Sequence, residues 1–263
     1  MPAPIGNQVV TTVQKQLNAH FNAGLVEDGM FGPLTRAALL QVPTVSSSWC
    51  DKRKFIGAIQ YFATMAGIEA GPIDGFWGPQ TEYAYGQLKS VMATGKQDLW
   101  RDEVEPAYDW PRARTADMNR YFGPVGQNMA KVSVPYTLKL AWAPETYLNR
   151  FTCHKLVVEP IQAAMEEILD YYTLDGIKDL RLDMWGGCLN VRKMRGGSNY
   201  SMHSWGAAID WNPANNRLRW DSRKATLALP EYEEFWKAWE RQGGVSLGRV
   251  KNFDWMHIQF CNP

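Results

Sequence analysis

Positive charge is in no excess in this chain: 28 Lys and Arg stand against 27 Asp and Glu, for a formal charge of +1. That removes the electrostatic footprint of a nucleic-acid-binding protein, and no basic run marks a membrane-surface patch. Long apolar stretches are missing too. Nothing approaches the roughly 18 consecutive apolar residues that a spanning helix needs, so membrane insertion is not expected. The opening Met1-Pro-Ala-Pro-Ile-Gly-Asn has neither the positive n-region nor the apolar h-region of a secretory signal. Synthesis and folding in a cytoplasm are expected, and a substrate outside the membrane would be reached only after something else opens it. Cysteine is scarce: Cys50, Cys153, Cys188 and Cys261 form no C-x-x-C pair. They are expected as buried or half-buried free thiols, and the sequence pairs none of them. Histidine is equally scarce, with only His20, His154, His203 and His257.

What is present begins with an internal repeat. Asp28-Gly-Met-Phe-Gly-Pro-Leu-Thr-Arg-Ala-Ala38 recurs as Asp74-Gly-Phe-Trp-Gly-Pro-Gln-Thr-Glu-Tyr-Ala84, at an offset of 46 with six of eleven positions identical. Upstream, Val10, Val13 and Leu17 correspond to Ile56, Ile59 and Ala63, and spacings of three and four put each set on one helix face. Each unit reads as helix, glycine-bounded loop, helix. Pro33 and Pro79 suit the first turn of the second helix, where a missing N–H costs nothing. Phe31, Phe76 and Trp77 either contact a glycan or fill the small core, with core favoured for at least one per repeat.

The Asp-Gly-x-Phe/Trp-Gly-Pro-x-Thr-x-x-Ala run resembles that of peptidoglycan-binding domains built on small helical bundles, over about residues 8–90. The resemblance implies a small all-α N-terminal domain over 1–92 with bacterial peptidoglycan as partner. Residues 93–112, with mixed charge, Pro106 and Pro111, read as a linker.

The remainder, 113–263, mixes periodicities. Ile161, Met165, Ile168 and Tyr172 form a helical stripe beginning near Pro160. Leu180, Leu182 and Met184 alternate as a half-buried strand does. Tyr232, Phe235, Trp236 and Trp239 make another apolar helix face, closed by Gly243-Gly244 and assigned to the core. The mixture points to an α+β domain.

Two of the four histidines fall into one pattern: Ser201-Met-His203-Ser-Trp-Gly206-Ala-Ala-Ile-Asp210, answered by Asp254-Trp-Met-His257. Catalytic zinc usually takes three protein ligands and leaves a fourth position for water. His203, Asp210 and His257 offer two nitrogens and one oxygen. Gly206 allows a turn between His203 and a strand holding Asp210, and His257 arrives on another strand, Trp255 to Phe260. Asp254 is assigned as base rather than ligand: zinc lowers the pKa of its water from about 16 to around 7, and a carboxylate beside it can take the proton and pass it to a leaving amine. Arg192 and Arg195, just upstream, are candidates for an oxyanion-stabilising cation or for gripping a substrate carboxylate. His20 and His154 belong to no such motif and are read as structural, with His154 allowed near the cleft wall.

From Cys188 through Asp210, with the later Asp-x-x-His, the sequence looks like the zinc D-Ala-D-Ala carboxypeptidase and L-alanyl-D-glutamate endopeptidase family, whose core is Ser-x-His-x-x-Gly-x-Ala-x-Asp. The resemblance implies zinc on His203, Asp210 and His257, Asp254 as catalytic acid/base, and Arg192 as a second catalytic residue. It places Arg195, Ser201 and Trp205 as substrate-side residues and implies an antiparallel sheet of the hedgehog/DD-peptidase type. The function implied is a modular endolysin: repeats that hold the wall and a domain that cuts a stem-peptide amide, L-alanyl-D-glutamate by expectation. A D-Ala-D-Ala carboxypeptidase is the close alternative. A non-catalytic wall-binding or virion protein with a stabilising zinc, and a host wall-remodelling enzyme, are the alternatives of other kinds. A monomer is expected.

Overall fold

A computed structural model describes residues 6–97, 109–113, 115–194 and 199–263. The chain divides into two compact units, Met1–Asp98 and Leu99–Pro263. Among the described residues no helix is long and apolar enough to cross a membrane.

The described residues of the first unit form four helices: α1 (Asn7–Phe21), α2 (Pro33–Leu39), α3 (Asp51–Met65) and α4 (Pro79–Thr94). The repeat is α1-loop-α2 followed by α3-loop-α4. Pro33 and Pro79 each open their helix behind an extended glycine. Val10, Val13 and Leu17 bury their side chains with Ile59, Phe62, Ala63 and Leu88 in one apolar core. What the repeated loop does is set by a residue the helix-face reading passed over. Gln14, buried in α1, donates through Nε2 to Asp28 Oδ1 (3.0 Å), Met30 O (3.1 Å) and Thr35 Oγ1 (3.3 Å), and accepts from Gly29 N at 2.9 Å. Gln60 does the same in α3 with Asp74, Phe76, Thr81 and Gly75 at 3.0, 3.2, 3.1 and 2.9 Å. The identical Asp, Gly and Thr of the two runs are therefore the partners of one buried amide. Gly29 and Gly75 both take positive φ, which a side chain would resist.

The second unit carries α5 (Asp117–Phe122), β1 (Met129–Leu140), β2 (Ala143–His154), α6 (Val158–Asp179), β3 (Met184–Gly187), β4 (Ala208–Trp211), α7 (Glu233–Arg241), β5 (Val245–Ser246), α8 (Leu247–Lys251) and β6 (His257–Gln259). The sheet order is β2-β1-β3-β4-β6-β5. It is mixed rather than purely antiparallel, because β1 and β3 run parallel. The long β1–β2 hairpin has no counterpart in the sequence reading. The β1 alternation runs through Pro135, with Val132, Tyr136 and Leu138 buried and Lys131, Ser133, Pro135 and Thr137 exposed, but the register shifts between Ser133 and Leu138, as expected where a ladder donor is lost.

Helix α6 follows its predicted stripe, with Ile161, Met165 and Ile168 fully buried. The strand expected at Leu180 starts only at Met184: Leu180 caps α6 and Arg181 turns at φ 56°. Leu180 packs partly buried and Leu182 fully buried from that turn, which mimics strand alternation. Helix α7 buries Phe235 and Trp239 against Trp211, Trp239 against Phe260 and Trp236 against Trp255, and Gly243 follows it at φ 79°. Asp109–Arg112, read as linker, are part of this unit. Trp110 is buried and donates to Gly243 O at 2.8 Å, Asn262 Nδ2 donates to Trp110 O, and Ala113 N donates to Asn262 O at 2.7 Å. All four thiols are free. Three are buried, and Cys50 is exposed, against expectation, at the residue before α3.

Candidate metal centre

Strands β4 and β6 pair antiparallel with Asp210 directly opposite His257, so both side chains leave one face of the sheet. His203 reaches the same face from a 3-10 turn, Met202–Trp205, that ends at Gly206 in the left-handed region (φ 62°). A Cβ there would sit 2.9 Å from His154 N and 3.0 Å from Met129 Sδ, so the bend needs glycine for space as well as for φ. Gly186 on β3 serves β4 likewise: a Cβ would lie 2.9 Å from both Cβ and O of Asp210.

The three donor atoms form a small triangle. His203 Nε2 lies 3.3 Å from Asp210 Oδ1. His257 Nδ1 lies 2.9 Å from that oxygen and 3.2 Å from His203 Nε2. Tetrahedral zinc with N and O ligands at about 2.0–2.1 Å has ligand–ligand edges of about 3.3 Å, so the triangle is the right size for one ion. The tautomer fits as well. His203 Nδ1 donates to the Cys188 carbonyl at 2.7 Å, which leaves the Nε2 lone pair of a neutral ring facing its partners. The two histidines are buried and Asp210 is half-buried.

Electrostatics agree. Burial alone would lower the His203 pKa, but the charge and hydrogen bond of Asp210, with the Cys188 carbonyl, outweigh it and raise the pKa despite the opposing charge of Arg192. Burial works to raise the Asp210 pKa, and the two imidazoles overcome it, holding the carboxyl well below its ordinary range. A site that prefers one anion facing two imidazoles suits a divalent cation.

Asp254 sits in the turn that opens β6. It is buried, its backbone is left-handed (φ 56°), its N donates to Leu218 O at 3.1 Å, and its carbonyl accepts from His257 N at 3.0 Å. Its main chain is thus tied directly to a ligand candidate. Arg192 is exposed, and its main chain is stitched to the turn that carries His203. Ser201 N donates to Arg192 O at 3.0 Å, while the Ser204 hydroxyl accepts from Arg192 N at 3.0 Å and donates to Arg192 O at 2.8 Å. Its guanidinium is near enough to be felt at His203. Ser204 and the Cys188 carbonyl are functional positions that the motif reading missed, although both lie inside the quoted run.

Ser201 is buried and begins the turn, its carbonyl accepting from Ser204 N at 2.8 Å. Trp205, expected to face substrate, is instead buried, and its indole N–H is spent on Asn119 Oδ1 (3.2 Å) and Gly123 O (3.0 Å); its role is packing. Arg195 lies outside the described residues. His154 accepts from Leu156 N through Nδ1 at 3.2 Å, so its Nε2–H donates to Phe122 O at 2.8 Å. That buried, saturated ring is structural, with its pKa lowered chiefly by burial. His20 stacks on Phe62.

Residues 195–260 match the family model described as D-alanyl-D-alanine carboxypeptidase. The matched segment contains His203, Asp210, Asp254 and His257 and begins after Arg192. It makes the second unit the home of a peptidase-type segment. No curated protein and no solved structure matched the chain.

Proposed function

We propose that the chain is a zinc-dependent peptidoglycan peptidase, an endolysin that cuts a stem-peptide amide. The observation that carries this reading is the 2.9–3.3 Å triangle of His203, Asp210 and His257 within a peptidase-family segment. Among the described residues three ligand candidates converge rather than four, which favours an open, catalytic type of site over a closed structural one. His203, Asp210 and His257 would hold the zinc, which when bound would supply Lewis acidity to a water and to the scissile carbonyl. Asp254 is the group assigned to take the proton from the attacking water and return it to the leaving amine. Arg192, beside the His203 turn, offers a planar fork to a substrate carboxylate or to the developing oxyanion. The repeats of the first unit hold the wall, which raises the local concentration of cleavable bonds without altering the chemistry.

For the bond, L-alanyl-D-glutamate is the first reading. The description of the matched family favours a second, removal of terminal D-alanine. Digestion of purified sacculi with mass spectrometry of the released fragments separates them: new N-terminal D-glutamate supports the endopeptidase, and loss of terminal D-alanine alone supports the carboxypeptidase. Intact sacculi after incubation with the zinc-loaded protein would remove the enzymatic reading altogether. Deleting residues 1–98 should reduce retention on sacculi while soluble muropeptides are still cut; equal loss on both substrates would contradict the tether.

A further inference from the structure

The two repeats share a clamp but differ on their surface. In the second repeat the Arg53 guanidinium lies between two aromatic rings, 4.4 Å from the Trp49 centroid and 4.6 Å from that of Phe76. Its Nε donates to Asp74 O at 2.9 Å. Its two terminal amino groups have no hydrogen-bond or ion-pair partner among the described residues. Phe76 is 54% exposed, so one side of the stack is open to a ligand. The stack is also deliberately seated. A Cβ on Gly57 would come within 2.7 Å of Trp49 Cζ3, and one on Gly75 would strike Arg53 Cγ.

Among the described residues the first repeat shows no such double stack: its Arg36 lies 5.1 Å from the Phe31 centroid alone and is paired with Asp51 at 3.0 Å. At the offset of 46, Trp49, Arg53, Gly57 and Phe76 correspond to Ala3, Asn7, Thr11 and Met30. The cationic run Lys52-Arg53-Lys54 corresponds to the uncharged Gly6-Asn7-Gln8. Cationic side chains flanking an aromatic-sandwiched guanidinium with free donors match a carboxylate, which an arginine fork binds in bidentate fashion. The open ring offers a face to the apolar side of a sugar or peptide.

Resting on the wall-tether reading above, we infer that Trp49, Arg53 and Phe76 form a carboxylate-binding site for peptidoglycan, and that the second repeat alone makes this contact. The stack fixes the guanidinium plane, Lys52 and Lys54 add attraction, and the first repeat serves as scaffold.

The test is co-sedimentation of the full chain with purified sacculi, with a chelator present so that the wall stays intact. Arg53→Ala should weaken retention about tenfold, the scale of a lost charge-assisted hydrogen bond. Arg53→Lys should fall between, and Phe76→Ala should lose severalfold while Met30→Ala changes nothing. Sacculi whose carboxyls have been amidated probe the wild-type protein without any substitution. Wild type should bind them about as weakly as Arg53→Ala binds native sacculi, and Arg53→Ala should lose nothing more on them. Undiminished binding by Arg53→Ala, indifference of wild type to amidation, or equal losses from Met30→Ala and Phe76→Ala each overturn the site while leaving the tether standing. Wild type that fails to sediment at all removes the tether, and the site with it.

Discussion

The two units solve opposite problems with buried polar groups. In the first, one device is used twice: Gln14 and Gln60 each satisfy four partners in a loop of their own repeat. Both hydrogens of each side-chain amide are engaged and its oxygen takes a loop N–H, so the device braces the loop of its own repeat. In the second, His203, Asp210 and His257 come from three separate segments and aim three lone-pair-bearing atoms at one another. That arrangement can hold a cation, and it has no copy among the described residues of the second unit. The lesson is that a saturated polar network marks scaffold, whereas a convergent acceptor set marks chemistry. Substitutions should divide the same way, costing stability in one unit and function in the other.

The largest break of that contrast is at the triad. His203→Ala should lose bound zinc and with it more than about a thousandfold in turnover, while the second unit keeps its fold. Metal analysis and sacculus digestion report the two effects separately. Asp254→Ala should keep zinc and lose on the order of 10²–10⁴-fold in kcat. Near-normal turnover by that variant would remove the assignment of Asp254 as base. In the first unit, Gln60→Ala leaves the buried Gly75 amide without its partner, while the Phe76 carbonyl keeps the Thr81 hydroxyl at 3.2 Å, and should cost about 2–3 kcal/mol. Gln14→Ala should cost a similar amount, since its bonds match one for one. Thermal unfolding of the first unit measures both, and a large difference between them would show that the repeats are not energetically equivalent.

The same contrast governs how much could be read from the chain. Short-range features were legible. The Asp-Gly loops, the prolines opening α2 and α4, and the turn at Gly206 each follow from residues a few positions apart. The triad was legible because its residue types and spacing are chemically restrictive. Features fixed by distant partners were not. Trp110 reads as linker until its bonds to Gly243 and Asn262 are seen. The β1 strand is the exception: Val132, Val134, Tyr136 and Leu138 alternate with exposed residues and were legible in principle, and only Pro135 argues locally against a strand. Leu180 and Leu182 imitate strand alternation from a turn, because both pack inward on the same core. Gln14 and Gln60 were legible in principle, being identical at the repeat offset, but a reading confined to apolar helix faces passes over a buried glutamine.

A smaller effect sharpens the electrostatic side. The raised His203 pKa means that a proton competes with zinc from a higher pH than at an ordinary imidazole. As pH falls through the histidine range, the protonated ring loses the lone pair that a metal needs. Zinc affinity should therefore be full at alkaline pH and begin to fall above the pH where an unperturbed histidine would start to protonate. Titration of zinc binding against pH checks this; a decline that begins only below the ordinary histidine range would contradict the Asp210–His203 coupling.

The finest comparison is within the second unit, between Arg192 and His203. The positive charge of Arg192 opposes protonation of His203. In the metal-free protein, Arg192→Gln should thus raise the His203 pKa further, because removing a like charge favours the imidazolium. The shift should shrink in high salt, since the guanidinium is exposed and screened. Following the imidazole by NMR across pH gives the direction directly. An unmoved titration would place the guanidinium too far from the triad to meet a developing oxyanion there, and would leave Arg192 at most a contact for a remote substrate carboxylate.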